Sequence, residues 1–245
     1  MKTITVVAYN RPKYFVQCLE HLKTCDLTGW DLTISIDGAA TQDQEQKTIE
    51  CLNLANDFVS SGHAARVLHQ DKNYGVNWHN KRVMDEAYQR GSDINLHVED
   101  DILLSPDALQ LVDWYSKFST KEEYLFLLLC SKKKKDTEAW NLMVGECKRF
   151  MPWGFAYTRK NWEENIETSW MIDPNGWDVT LNEYLVIGQN YKTLQPYLSR
   201  INNIGKIGVY CTPRDWAQGF NNHIWNQKET DGNFFFIPRH LESEE

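Results

Sequence analysis

No apolar run in this sequence approaches the ~20 residues that a membrane-spanning helix requires. Basic charge is not in excess either: 26 Lys and Arg face 34 Asp and Glu, for a net charge of −8. Nucleic acid bound through its phosphates is therefore disfavoured. The six cysteines (Cys18, Cys25, Cys51, Cys130, Cys147 and Cys211) form no C-x-x-C pair and no Cys/His cluster at zinc spacing. They read as reduced thiols of a cytoplasmic protein. Neither G-x-G-x-x-G nor G-x-x-x-x-G-K-[ST] occurs, so the NAD-type and P-loop classes lack their phosphate-cradling glycines. No repeat or Pro/Gly/Ser linker divides the 245 residues, and the only low-complexity stretch, KKKK at 132–135, reads as a solvated loop. A strand starts at once from Thr3, which leaves no room for a signal peptide.

What is present suits one large domain: 42% hydrophobic and 13% aromatic residues can fill a sizeable core. The first half, about 1–130, alternates strand and helix. TITVVAY, DLTISID, ARVLH and INLHVED read as strands. Between them PKYFVQCLEHLKTC, residues 41–60 and GVNWHNKRVMDEAYQR carry apolar residues at helical spacing. This order predicts a mainly parallel twisted sheet flanked by helices, with ligands at the carboxyl ends of its strands. The second half, about 131–245, is rich in Trp and Asn, and is expected to be an irregular cover over those strand ends.

The stretch NLHVEDDILLSPDAL places Glu99, Asp100 and Asp101 at the end of a strand. Strand alternation would put Glu99 and Asp101 on one face and Asp100 on the other. Three adjacent carboxylates at a sheet edge call for a counter-charge, and a divalent cation with oxygen ligands, Mn2+ or Mg2+, would supply it. Arg11 falls just beyond the first strand, where a fixed cation can meet a diphosphate. Asp37 ends the second strand in SIDGA, where it either accepts from a ribose or base or caps the turn before Gly38. Asp178, in NGWDVTLNEYL, begins a helix; it either favours the helix dipole or serves as a general base.

Taken in order, VVAYNR, SIDG, HVEDDILLSPDAL, FMPWGFAY, GWDVTL, LSRINNIGKIGVY and QGFNNHI resemble the catalytic domains of N-acetylglucosaminyltransferase I and protein O-mannose β-1,2-N-acetylglucosaminyltransferase. The resemblance runs from Thr3 to His223. It implies a GT-A fold and an inverting, metal-dependent transfer from a nucleotide-sugar donor, UDP-GlcNAc, to a carbohydrate or glycoconjugate acceptor. On this likeness Asp101 binds the metal, and Glu99 and Asp100 face the donor's sugar and ribose. Arg11 approaches the diphosphate, Asp37 holds the uridine, and Asp178 is the catalytic base. The likeness also implies a glycine loop over the donor that includes Gly208 and Val209. This chain has Tyr210 where that loop continues with Ser, and His79 stands one residue from the family's uracil-holding histidine. Trp153 and Trp177 either offer faces to an acceptor sugar or fill the core. Two other readings use the same residues: a sugar nucleotidyltransferase, and a carbohydrate-binding protein without catalysis.

Overall fold

The computed structural model describes residues 1–131, 140–206 and 224–241. The centre of its parallel half is β1 (Lys2–Ala8), a β-branched run whose side chains are buried on both faces, as an interior parallel strand requires. β1 pairs in parallel with β2 (Trp30–Ile36) on one side and with β4 (Ile94–Glu99) on the other. In register, Ala8 lies opposite Ile36 and Val7 opposite Glu99, so all three strands end at one edge. Leu96 and Val98 of β4 are fully buried, and each stabilises the fold by about 2 kcal/mol.

Helices cover this parallel half. Pro12 opens α1 (Pro12–Leu22), where its fixed φ suits the first helical turn, and Phe15, Cys18, Leu19 and Leu22 form its buried stripe. α2 (Gln42–Ser60) buries Cys51, Ala55 and Phe58 and precedes the edge strand β3 (Arg66–His69). α3 (Gly75–Gln89) packs on β1 and β4. After β4 come β5 (Ile102–Leu104), α4 (Ala108–Lys117) and β6 (Tyr124–Leu128).

The second half does more than cover the sheet; it extends it. β7 (Met143–Cys147), β8 (Phe155–Thr158), β9 (Lys192–Pro196) and β11 (Phe235–His240) join the same sheet. Among the described residues nine strands run in the order β11-β7-β9-β6-β8-β4-β1-β2-β3. β8 is antiparallel to both neighbours, β4 and β6. Its amino end therefore lies at the edge where β4 ends, and it brings residues 152–154 there. A second, two-stranded sheet pairs β5 with β10 (Ile201–Asn203). Two helical segments complete the half. α5 (Arg159–Asn161) continues as a π turn (Trp162–Ile166), and α6 (Trp177–Val179) continues as a π turn (Thr180–Gly188).

Cys18, Cys25 and Cys51 are free thiols and buried, and burial pushes the Cys25 and Cys51 thiols up to about 12, which keeps them protonated. Among the described residues no helix is long and apolar enough to cross a membrane.

Candidate functional site

β4 ends at Glu99, and Asp100 and Asp101 turn out of the strand. The two-residue alternation expected for the triplet stops there. Asp100 and Asp101 consequently share one partner instead of lying on opposite faces. That partner is Arg11, the residue that enters α1. Its Nη2 and Nε donate to the two oxygens of Asp100, the latter at 3.3 Å, and its Nη1 meets Asp101 Oδ2 at 2.7 Å. The guanidinium lies 5.6 Å from the centre of the Tyr14 ring. Burial opposes its charge, but Asp100 and Asp101 outweigh that and raise its pKa above the ordinary arginine value. The counter-charge that three carboxylates demand thus comes first from within the chain.

Asp101 is 6% exposed, and its Oδ1 is buried with no hydrogen-bond partner among the described residues. Its main-chain carbonyl accepts from Ile204 N at 2.9 Å. Gly205 lies directly against its carboxylate: a Cβ there would stand 2.1 Å from Oδ2, so no other residue fits without displacing it. Asn203 Oδ1 accepts from Gly205 N at 2.8 Å and fixes this approach. Among the described residues no set of three or more His, Cys, Asp or Glu side chains gathers as a metal cage. A lone carboxylate oxygen without a partner suits a Mg2+- or Mn2+-sized cation whose other ligands are phosphate oxygens and water.

Desolvation pushes the Glu99 carboxyl up to about 8, reinforced by Asp101, opposed by Arg11, and raised further by Asp100 and Asp178. Burial likewise pushes Asp100 up to about 6 against the pull of Arg11. Asp178 is close enough for its charge to reach Glu99. Its neighbour is fixed in the core. Trp177 is 3% exposed, and its ring stacks on Trp170 (centroids 5.4 Å apart) and meets His97 edge-on at 6.2 Å. Asn77 on α3 clamps both tryptophans: its carbonyl accepts from Trp170 Nε1 at 3.1 Å and its Oδ1 from Trp177 N at 3.4 Å. Trp177 therefore belongs to the core and presents no open ring to a sugar. Trp153 is half-buried against the core, two residues before β8 begins.

Asp37 has all four acceptor positions filled by the chain. Oδ1 accepts from Gly38 N (3.0 Å) and Tyr74 N (2.9 Å), and Oδ2 from Gly75 N (2.9 Å) and Asn73 Nδ2 (3.2 Å). It braces the start of α3 against the end of β2, where a negative charge suits the helix dipole. His79 is 4% exposed, its Nε2 lies 2.8 Å from Ser35 Oγ, and burial pushes its pKa down to about 4. Gly208, Val209 and Tyr210 lie outside the described residues. Asn77 and Asn203 carry no signal in the sequence pattern, whereas Gly205, with Gly208, belongs to the glycine loop that the sequence marks as permissive backbone.

No family model matches the chain, and no curated protein matches it by sequence. Solved structures do match in fold. A mannosyltransferase from Pyrobaculum calidifontis, in complex with GDP-Man and Mn2+, aligns with TM-score 0.55 at 14% identity over 80% of this chain and 54% of its own. A cytidylyltransferase from Leptospira borgpetersenii aligns with TM-score 0.50 at 12% identity over 78% of this chain and 73% of its own. The chain spans about half the length of that mannosyltransferase. What is shared is the GT-A-like architecture of nucleotide-diphospho-sugar transferases, a large, mostly parallel sheet flanked by helices.

Proposed function

We propose that the chain is an inverting glycosyltransferase that moves a sugar, GlcNAc from UDP-GlcNAc, onto an acceptor hydroxyl of a carbohydrate or glycoconjugate. The observation that carries this reading is that Trp177, the residue before Asp178, packs on His97 of β4, two residues before Glu99, and that the charge of Asp178 acts on the Glu99 carboxyl. In this reading Asp101 holds a divalent cation, Mn2+ or Mg2+, which would offset negative charge on the leaving diphosphate as a Lewis acid. Arg11 is the fixed positive charge beside it. Glu99 and Asp100 face the sugar and ribose, and Asp37 serves the uridine by holding the 73–75 turn in place. His79 lies behind that turn. Gly208 and Val209 are assigned to the donor side, and Trp153 to the acceptor side.

Asp178 acts as general base. The acceptor oxygen bonds to the anomeric carbon as the bond from that carbon to the diphosphate oxygen breaks. The acceptor proton passes to the Asp178 carboxylate, and the nucleoside diphosphate leaves. Attack opposite the leaving group inverts the anomeric centre. Such proton transfer contributes typically about 10²–10⁴-fold. Asp178→Asn is therefore expected to keep nucleotide-sugar binding by calorimetry with Mn2+ present, while release of nucleoside diphosphate falls by about that factor. Wild-type turnover in this variant would remove Asp178 from the base role.

The similarity in fold to a cytidylyltransferase favours a second reading, a sugar nucleotidyltransferase. AYNRPKYF, after β1, lacks the glycine-rich basic loop of such enzymes. Pyrophosphate as the released product, instead of a nucleoside diphosphate, would select it.

A further inference from the structure

We propose that Arg11 sets the ligand specificity of the acidic rim: by competing for Asp101, it makes the site take a divalent cation only together with a diphosphate and refuse the free cation. This rests on the donor-site reading above and adds to it the form in which the cation is accepted.

What points to a ligand at Asp101 is its orphaned Oδ1, buried with no partner among the described residues. Gly205 limits the direction of approach, because its backbone closes the Oδ2 side so tightly that a Cβ would stand 2.1 Å away. A cation must therefore approach from Oδ1, and the guanidinium already on Oδ2, at 2.7 Å, lies within a few ångströms of that approach.

Arg11 is not free to leave the rim. It is the residue before Pro12, and its carbonyl accepts from Tyr14 N and Phe15 N, both at 3.0 Å, so its backbone is part of the first turn of α1. Its guanidinium is three-quarters buried (28% exposed) and bound to Asp100 as well as Asp101. A bare divalent cation would meet this fixed positive charge at short range in a weakly screened setting, and would also take from Arg11 one of its two partners. A cation carried on a diphosphate changes the sign of the encounter. The phosphate oxygens accept from the guanidinium fork, whose geometry matches them, so the repulsion becomes an attraction. Arg11 then exchanges Asp101 for phosphate while remaining on Asp100.

The test measures Mn2+ binding to the full chain by the loss of the free-ion electron paramagnetic resonance signal, first with Mn2+ alone and then with UDP or GDP added. Wild type is expected to bind Mn2+ alone at least tenfold more weakly than Arg11→Gln. Added nucleoside diphosphate should tighten Mn2+ binding strongly in wild type and much less in Arg11→Gln. Asp101→Asn in the Arg11→Gln background should abolish the gained Mn2+ binding; if the gain persists there, the cation sits elsewhere and the inference fails. Arg11→Lys keeps the charge but loses the fork. It should fall between the two, and it carries the comparison if the glutamine variant does not fold. Equal Mn2+ affinity in wild type and the Arg11 variants overturns the inference. If UDP or GDP tightens Mn2+ equally in all of them, only this inference falls; if neither nucleotide tightens Mn2+ in wild type, the donor-site reading falls and takes the inference with it.

Discussion

Burial keeps the imidazole of His97 neutral: its pKa is pushed down to about 3, with His79 adding to the effect. The ring terminates a buried polar ladder. Thr3 Oγ1 donates to Asn95 Oδ1 (2.8 Å), Asn95 Nδ2 to Thr5 Oγ1 (3.0 Å), and Thr5 Oγ1 lies 2.9 Å from His97 Nδ1. His97 Nε2, and both side-chain polar atoms of Asn80, are buried without a partner among the described residues. Because the folded value lies below the unfolded one, the unfolded chain takes up the proton first as pH falls. The stability that neutral His97 contributes is complete above about pH 6.5 and is lost progressively towards pH 3. Glu99, whose carboxyl is raised, has the opposite dependence, so a comparison that holds it constant is needed. Urea unfolding of wild type and His97→Asn provides one: the stability of wild type relative to the variant should drop by about 2 kcal/mol from pH 7 to pH 5. An unchanged difference would mean that His97 is not held neutral.

Among the elements, α3 carries the most consequence for the site. Asp37 fixes its first turn to the end of β2, and two residues into the helix Asn77 grips Trp170 and Trp177, the latter directly before Asp178. Asn77→Ala removes the side-chain grip and leaves the acidic rim intact. It is expected to lower the transfer rate about tenfold, a loss of about 1.4 kcal/mol in transition-state stabilisation, with nucleotide binding nearly unchanged. Separate measurement of turnover and nucleotide affinity checks this. Such couplings were not legible in the sequence, because a clamp between residues 93 and 100 apart leaves no periodic trace. The elements of the first half were legible, since β1 is a β-branched run, β2 and β4 alternate apolar with polar or β-branched residues, and α1 starts on a proline. β5 and β10 were not: each has three residues, too few for alternation to show. β7, with its glycine, and β11, with its proline, carry residues that argue against a strand. Of the site, the positions of Arg11 and the acid triplet could be read. That Asp100 and Asp101 share Arg11 could not, because the strand ends one residue earlier than its pattern suggested.

For the whole molecule, the decisive interaction is a buried ion pair far from any charge pattern in the sequence. Arg200 and Asp107 are both fully buried, with Nε donating to Oδ2 at 3.0 Å. Asp107 also accepts from Ser105 Oγ, Asn226 Nδ2 and Thr230 Oγ1, at 2.7, 2.8 and 2.8 Å, which ties α4, β10 and the 224–241 segment together. Removing one partner strands the other charge, so Arg200→Met should cost about 3–5 kcal/mol of unfolding free energy. The double replacement Asp107→Leu with Arg200→Met should recover a substantial part of it by denaturant titration. β8 has a broader consequence. A strand reversed between two others delivers a loop to the acidic rim from its own beginning, so the segment ahead of Phe155 can lengthen or change sequence while the pairing of β1, β2 and β4 stays fixed. The rim and the segment beside it can in this way diversify at separate rates, one holding its charge pattern while the other varies.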